Sequence, residues 1–315
     1  MDRYGIFAWF GYRYPIDERV RLIRKAGYAA TSIWLGRQEP LVYEGKADLI
    51  PGIIRSGGLF LEYVHASYAN CNRLWSQSTS ARDVILRDYT DAIRYCGRHE
   101  IPVVVMHIVK GMNPPHYGPD GLETIAELVR LAEEAGVRIA IENTRHPGYV
   151  DYVLENIDSI SLGFCYDSSH DFLYNATPGS ILKRWSHRLL VTHLSDNDGL
   201  TDKHWLPSLG TGDWESVAQA FPASLFGSFL TLEVLPKRDA FRPAPEFLRH
   251  GVELLAWFAE MAHARATRPA SGDLPASLPG APDELSPARL RATRPASGEL
   301  SPARLRAGAA VDPIA

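Results

Sequence analysis

Between Tyr4 and His263 the chain alternates short apolar, β-branched runs with longer segments whose apolar residues recur at three and four positions. That alternation predicts β-α units around a parallel sheet. The expected strands are Tyr4 to Ala8, Ala30 to Leu35, Leu59 to His65, Pro102 to His107, Arg138 to Asn143, Leu162 to Asp167, Leu189 to Leu194 and Ser228 to Glu233. Helical periodicity is clearest over Asp17 to Ala26, Ala81 to His99, Leu122 to Ala135 and Pro243 to Ala262. Glycine follows two of these, at Ala26-Gly27 and Ala135-Gly136, where a left-handed residue closes a helix before a new strand begins. Eight strands predict a closed (β/α)₈ barrel over residues 1–263.

After His263 the pattern stops. Residues 264–315 are rich in Ala, Pro, Arg, Ser and Gly, and they repeat: ATRPASGDL from Ala266 returns as ATRPASGEL from Ala292, and LSPARLRA from Leu285 returns from Leu300. This reads as a duplicated, low-complexity disordered tail without a catalytic role.

In a barrel of this type the residues closing each strand converge on one mouth, so strand-end chemistry is informative. Here strand three ends at His65, strand four at His107, strand five at Glu142, strand six at Asp167 with His170 just beyond, strand seven at His193 and strand eight at Glu233. The loop after strand seven adds Asp202 and His204. Imidazoles and carboxylates suit Zn²⁺, Mn²⁺, Co²⁺ or Fe²⁺, and nine such residues suffice for one to three divalent ions sharing carboxylates. Carboxylates at the ends of apolar strands are costly without a partner, which strengthens the metal reading.

Other features change the picture less. Trp9 and Trp34, near the ends of strands one and two, suit the wall of a pocket or the core. Arg145, Lys110 and Lys203 flank the expected mouth, with Lys110 read as a solvated charge. The glycines of SLGTGDW, Ser208 to Trp214, lack the spacing and following Lys of a phosphate loop and predict a tight turn into a helix. The composition, 45% hydrophobic and 22% charged in 315 residues, is that of a soluble globular protein. A net charge of −4 without a basic stripe disfavours nucleic acid as a partner. Cys71, Cys96 and Cys165 are too few and scattered for a disulfide framework, which points to reduced thiols and the cytoplasm; neither a signal peptide nor a membrane span is expected.

Five stretches in order, IENT (Ile141 to Thr144), GFCYDSSHD (Gly163 to Asp171), THLSDNDG (Thr192 to Gly199), DKHWLPSLGTGDW (Asp202 to Trp214) and LEV (Leu232 to Val234), resemble the sugar phosphate isomerase/epimerase family of xylose isomerase-like barrels. The resemblance implies one divalent ion on Glu142, Asp167, His193 and Glu233, proton transfer by Glu142 and Glu233, and substrate contact by His170. No Arg follows His193 as it does in common epimerases; Asp202 and His204 stand there instead. All nine residues, His65 and His107 included, also match in type and order the three-zinc pattern of the endonuclease IV branch. The leading expectation is isomerisation or epimerisation of a sugar or sugar phosphate through an enediolate. The alternative is phosphodiester or phosphate ester hydrolysis at a multinuclear centre. A homodimer is the expected assembly.

Overall fold

In the computed structural model, eight strands appear where the apolar runs place them: β1 (Arg3–Phe7), β2 (Ala30–Trp34), β3 (Phe60–His65), β4 (Val103–Met106), β5 (Arg138–Glu142), β6 (Leu162–Asp167), β7 (Leu189–His193) and β8 (Phe229–Leu232). The structure describes residues 3–36, 39–222, 228–237, 240 and 243–266. The expected tail therefore lies outside the described residues beyond Ala266.

All pairings are parallel, in the order β7-β6-β5-β4-β3-β2-β1-β8. The seam between β7 and β8 closes through a Leu194 to Leu232 bridge, with Leu194 N–H donating to Thr231 O at 2.9 Å. The Thr231 N–H finds a side chain, Thr192 Oγ1, at 3.0 Å. Thus the sheet closes into the barrel that the strand count predicts.

Helices pack outside this sheet: α1 (Ile16–Ala26), α2 (Pro40–Tyr43), α3 (Ile50–Ser56), α4 (Thr79–Arg98), α5 (Pro119–Ala135), α6 (Pro147–Asn156), α7 (Ser168–Tyr174), α8 (Ser180–Trp185), α9 (Trp214–Ala220) and α10 (Ala244–Ala266). Gly27 and Gly136 end α1 and α5 in the left-handed region, at φ of 107° and 68°. A large apolar layer fills the space between helices and strands, with Ile23, Leu128, Val153, Phe247 and Phe258 among its buried members. A second, smaller cluster lies within the barrel: Phe7, Tyr63, Val103, Val105, Ala140, Cys165 and Val191, with Trp9 and Trp34 packed against it.

Side chains alternate along a strand. The residue two beyond Phe7, Tyr63, Val105, Ala140, Cys165 and Val191 is respectively Trp9, His65, His107, Glu142, Asp167 and His193. The same alternation sets the expected metal-competent side chains one layer above the apolar interior. Cys71, Cys96 and Cys165 are free and buried, and burial pushes each thiol up to about 12. Among the described residues, no helix is long and apolar enough to cross a membrane.

Candidate metal centre

All nine residues singled out from the sequence join one connected network. Glu142, 1% exposed, is its hub. Its Oε2 lies 3.2 Å from His65 Nε2, 3.2 Å from His107 Nε2 and 3.2 Å from His193 Nδ1, and its Oε1 lies 3.1 Å from His170 Nδ1. His193 Nδ1 is also 2.9 Å from Glu233 Oε2 and 3.9 Å from Asp167 Oδ2. A second focus is Asp202, whose Oδ2 lies 3.2 Å from His170 Nε2 and 3.0 Å from His204 Nε2.

Local structure fixes these donors. Asp167 ends β6 and caps α7, its Oδ1 accepting from the His170 N–H at 2.7 Å. Asn143 bridges the two strand ends: its Nδ2 donates to Asp167 O and its Oδ1 accepts from the Asp167 N–H, both at 2.8 Å. Ser169 Oγ donates to Asp202 Oδ1 at 2.6 Å, and Asn197 Nδ2 donates to Ser169 O at 2.9 Å. Asp196 organises the following loop, accepting from the N–H groups of Gly210 and Gly212 and from Trp214 Nε1 at 3.1, 3.0 and 2.9 Å. The SLGTGDW segment is accordingly a turn into α9, with Asp213 as its cap. Asn143, Ser169, Asp196 and Asn197 have positioning roles that the sequence reading did not assign, although all lie within or beside the motifs it quoted.

The donor chemistry fits a divalent cation. His65, His170 and His204 each direct Nδ1 at a backbone carbonyl, those of Ala66 (2.8 Å), Asn143 (2.9 Å) and Glu233 (3.2 Å). Donation from Nδ1 fixes the tautomer and turns Nε2 toward a carboxylate, the orientation in which a histidine offers its free nitrogen to a metal. Glu142, Asp167, His193 and Glu233 bring four ligand atoms within 4.8 Å of one another, and His65, His107 and Glu142 bring three. In the first set neither His193 nitrogen nor Asp167 Oδ2 has a hydrogen-bond partner among the described residues, despite complete burial. Proximity without hydrogen-bond alignment is what ligands converging on a common ion require. Cys165 stands beside Glu142 and His193 as a third donor of a further possible ligand set.

Electrostatics reflect three buried carboxylates in one place. Burial pushes the Asp167 carboxyl up to about 7, against the pull of His170. Burial also opposes ionisation of Glu233, but His193 outweighs it and holds that carboxyl down to about 2. Glu142 is similarly held well below the carboxylate range by His107 and His193 against burial. Burial disfavours the His204 imidazolium, yet Asp202 lifts it to about 10.

Aromatic and cationic side chains surround the donors. Tyr68 stacks on His107 with centroids 4.6 Å apart and on Trp34 at 5.8 Å. Lys110, expected as a solvated charge, is half-buried with its Nζ 5.5 Å from the Tyr68 ring centre. Its backbone is pinned by Asn72, which accepts from the Lys110 N–H at 2.8 Å and donates to its carbonyl at 3.0 Å. The Arg145 guanidinium sits 4.2 Å over the Tyr174 ring, whereas Lys203 is exposed, 3.9 Å from Asp198.

Residues 20–254 match a family model described as xylose isomerase-like TIM barrel. The protein y4fM of Sinorhizobium fredii is 33% identical over 128 residues, 38% of this chain and 41% of that relative, so the match spans under half of its length. MJ1311 of Methanocaldococcus jannaschii is 23% identical over 215 residues, 61% of this chain and 70% of the relative. Among solved structures, a D-tagatose 3-epimerase-like protein aligns with a TM-score of 0.63 at 18% identity, covering 85% of this chain and 100% of its own. An L-ribulose 3-epimerase aligns with a TM-score of 0.68 at 13% identity, covering 86% and 100%. At these identities the structural likeness is one of fold.

Proposed function

The chain belongs to the xylose isomerase-like TIM-barrel family, and on that premise we propose that it is a metal-dependent enzyme that isomerises or epimerises a sugar or sugar phosphate. The observation that carries the proposal is the buried set Glu142, Asp167, His193 and Glu233, contributed by four successive strand ends and converging within 4.8 Å. The neighbours named as ketose epimerases support sugar as the substrate class.

Glu142, Asp167, His193 and Glu233 would hold the ion. When bound, it would supply Lewis-acid polarisation of a carbonyl and an adjacent hydroxyl, which acidifies the intervening C–H. Glu142 and Glu233, both ionised beside neighbouring imidazoles, would take a proton from carbon and return it. The enediolate formed between those transfers carries its developing charge on oxygen. His170 would donate to that oxygen through Nε2, which faces Asp202 in the structure; burial disfavours its charge, but Asp167 and Asp202 hold it well above the usual imidazole range. Asn143, bonded to Asp167 and accepting from His170 Nδ1, keeps the acid, the ligand and strand β5 in register.

A second reading has its own support. His65 and His107 on Glu142, with His170 and His204 around Asp202, supply donors for two further ions. A bridged centre of that kind suits phosphate ester hydrolysis, in which oxygens on both sides of phosphorus are stabilised. Elemental analysis of protein purified without added metal, repeated on Asp202→Ala and His65→Ala variants, separates the two. About one ion per chain, unchanged by either substitution, supports the isomerase. Two or three ions, falling in the variants, would replace it with the hydrolase.

A further inference from the structure

Two of the cations flanking the mouth share a single frame. Thr144 Oγ1 donates to Val109 O at 3.1 Å, and His146 Nε2 donates to Gly111 O at 2.9 Å. These bonds tie the loop after β5 to the loop after β4, and pairing Thr144 with Val109 and His146 with Gly111 sets Arg145 opposite Lys110. Tyr149 adds a bond from its hydroxyl to Pro115 O, and Asn72 holds the Lys110 backbone from the other side. A frame fixed at this many points is ordered before any ligand arrives, which lowers the entropic cost of binding.

The charged heads, unlike their backbones, are open to solvent. Arg145 is exposed and Lys110 half-buried. Among the described residues neither has a carboxylate within 4.0 Å, whereas Lys203 faces Asp198. Lys110 lies against the Tyr68 ring and Arg145 against the Tyr174 ring. Those rings in turn flank the metal-competent histidines. Tyr68 stacks on His107, His107 meets His170 edge-on with centroids 6.0 Å apart, and the Tyr174 ring lies 6.1 Å from that of His170. Both cations therefore stand an aromatic ring outward from the candidate centre, on the same rim of the mouth. A cation on an exposed ring face is held only weakly, so the tyrosines orient these heads without neutralising them.

We propose that Lys110 and Arg145 form an anion subsite on the β4–β5 rim of the mouth, which takes the phosphate group of a ketose phosphate. Arg145 grips two of its oxygens with a planar fork, and Lys110 adds a point charge. A phosphate monoester carries close to two negative charges at neutral pH, which two cations match; the carboxylate of a sugar acid carries a single charge. The carbonyl end of the same molecule lies further in, toward Glu142 and Glu233. The inference rests on the sugar reading above and narrows its substrate to the phosphorylated class.

The test uses full-length, metal-loaded protein and matched pairs of ligands, D-fructose with D-fructose 6-phosphate and D-xylulose with D-xylulose 5-phosphate. Each is titrated calorimetrically into the parent and into Lys110→Met and Arg145→Met. Methionine keeps an apolar stem on the tyrosine ring and removes the charge. In the parent, the phosphorylated member of a pair is expected to bind about tenfold more tightly or better. Each substitution should weaken that member about tenfold, the loss of a charge-assisted bond, with metal content per chain unchanged. Ketoses that bind no better when phosphorylated, or a phosphate preference that both variants keep, overturn the subsite alone and leave the sugar reading standing. Equal weakening of both members of a pair assigns the two residues a structural role and also overturns the subsite. Failure of every ligand to bind overturns both.

Discussion

Glu62 lies on β3, below the metal-competent layer, and is 5% exposed. Its Oε2 accepts from Thr231 Oγ1 at 2.5 Å. Burial pushes its carboxyl up from 4.5 to about 8, although Thr231, His193 and Arg3 all favour the ionised form. Between those values the folded chain keeps a proton that the unfolded chain has released. Its contribution to stability is therefore fully present below about 4.5 and is lost as pH rises through about 8. The slope is about 1.4 kcal/mol per pH unit, so the loss over this window approaches about 5 kcal/mol. Glu62→Gln keeps an acceptor oxygen for Thr231 and cannot ionise. In urea unfolding of chelator-treated protein, the variant is expected to match the parent within about 1 kcal/mol at pH 5 and to exceed it by several at pH 8.5. A stability difference that does not change between the two pH values would refute the reasoning.

Two other substitutions probe the frame of the site. Arg19→Met leaves Glu39, 2% exposed, as a buried charge without its bidentate partner, and should cost about 3–5 kcal/mol in denaturant unfolding; an unchanged midpoint would show that the pair contributes nothing. Asp196→Ala strips acceptors from the half-buried N–H groups of Gly210 and Gly212 and from the buried Trp214 indole, and about 1–3 kcal/mol for the orphaned indole donor should lower the melting temperature well beyond the effect of Asp196→Asn.

The barrel was legible because parallel strands buried on both faces read as short apolar runs. The site was legible because polar residues at the ends of such runs have few structural uses, and all nine that were singled out do converge. Short helices such as Ser168–Tyr174 and Ser180–Trp185 were not visible: at six or seven residues they complete fewer than two turns of any periodic pattern. Arg19 and Glu39 are twenty positions apart, with no local signal that they meet. The bulge that carries Glu62 arises from pairing between strands, and within LEYVH nothing marks the slip in register. Lys110 reads as an ordinary surface lysine until Asn72, thirty-eight residues earlier, is seen to hold its backbone.

The central claim is that Glu142 and Glu233 move a carbon-bound proton. It is tested most directly by incubating the metal-loaded protein with a panel of ketoses and ketose phosphates in D₂O and following deuterium at the carbons flanking the carbonyl by NMR. The account predicts enzyme-dependent incorporation that disappears in Glu142→Gln and Glu233→Gln. Absence of exchange with every panel member, together with hydrolysis of a phosphate diester by the same preparation, would contradict it.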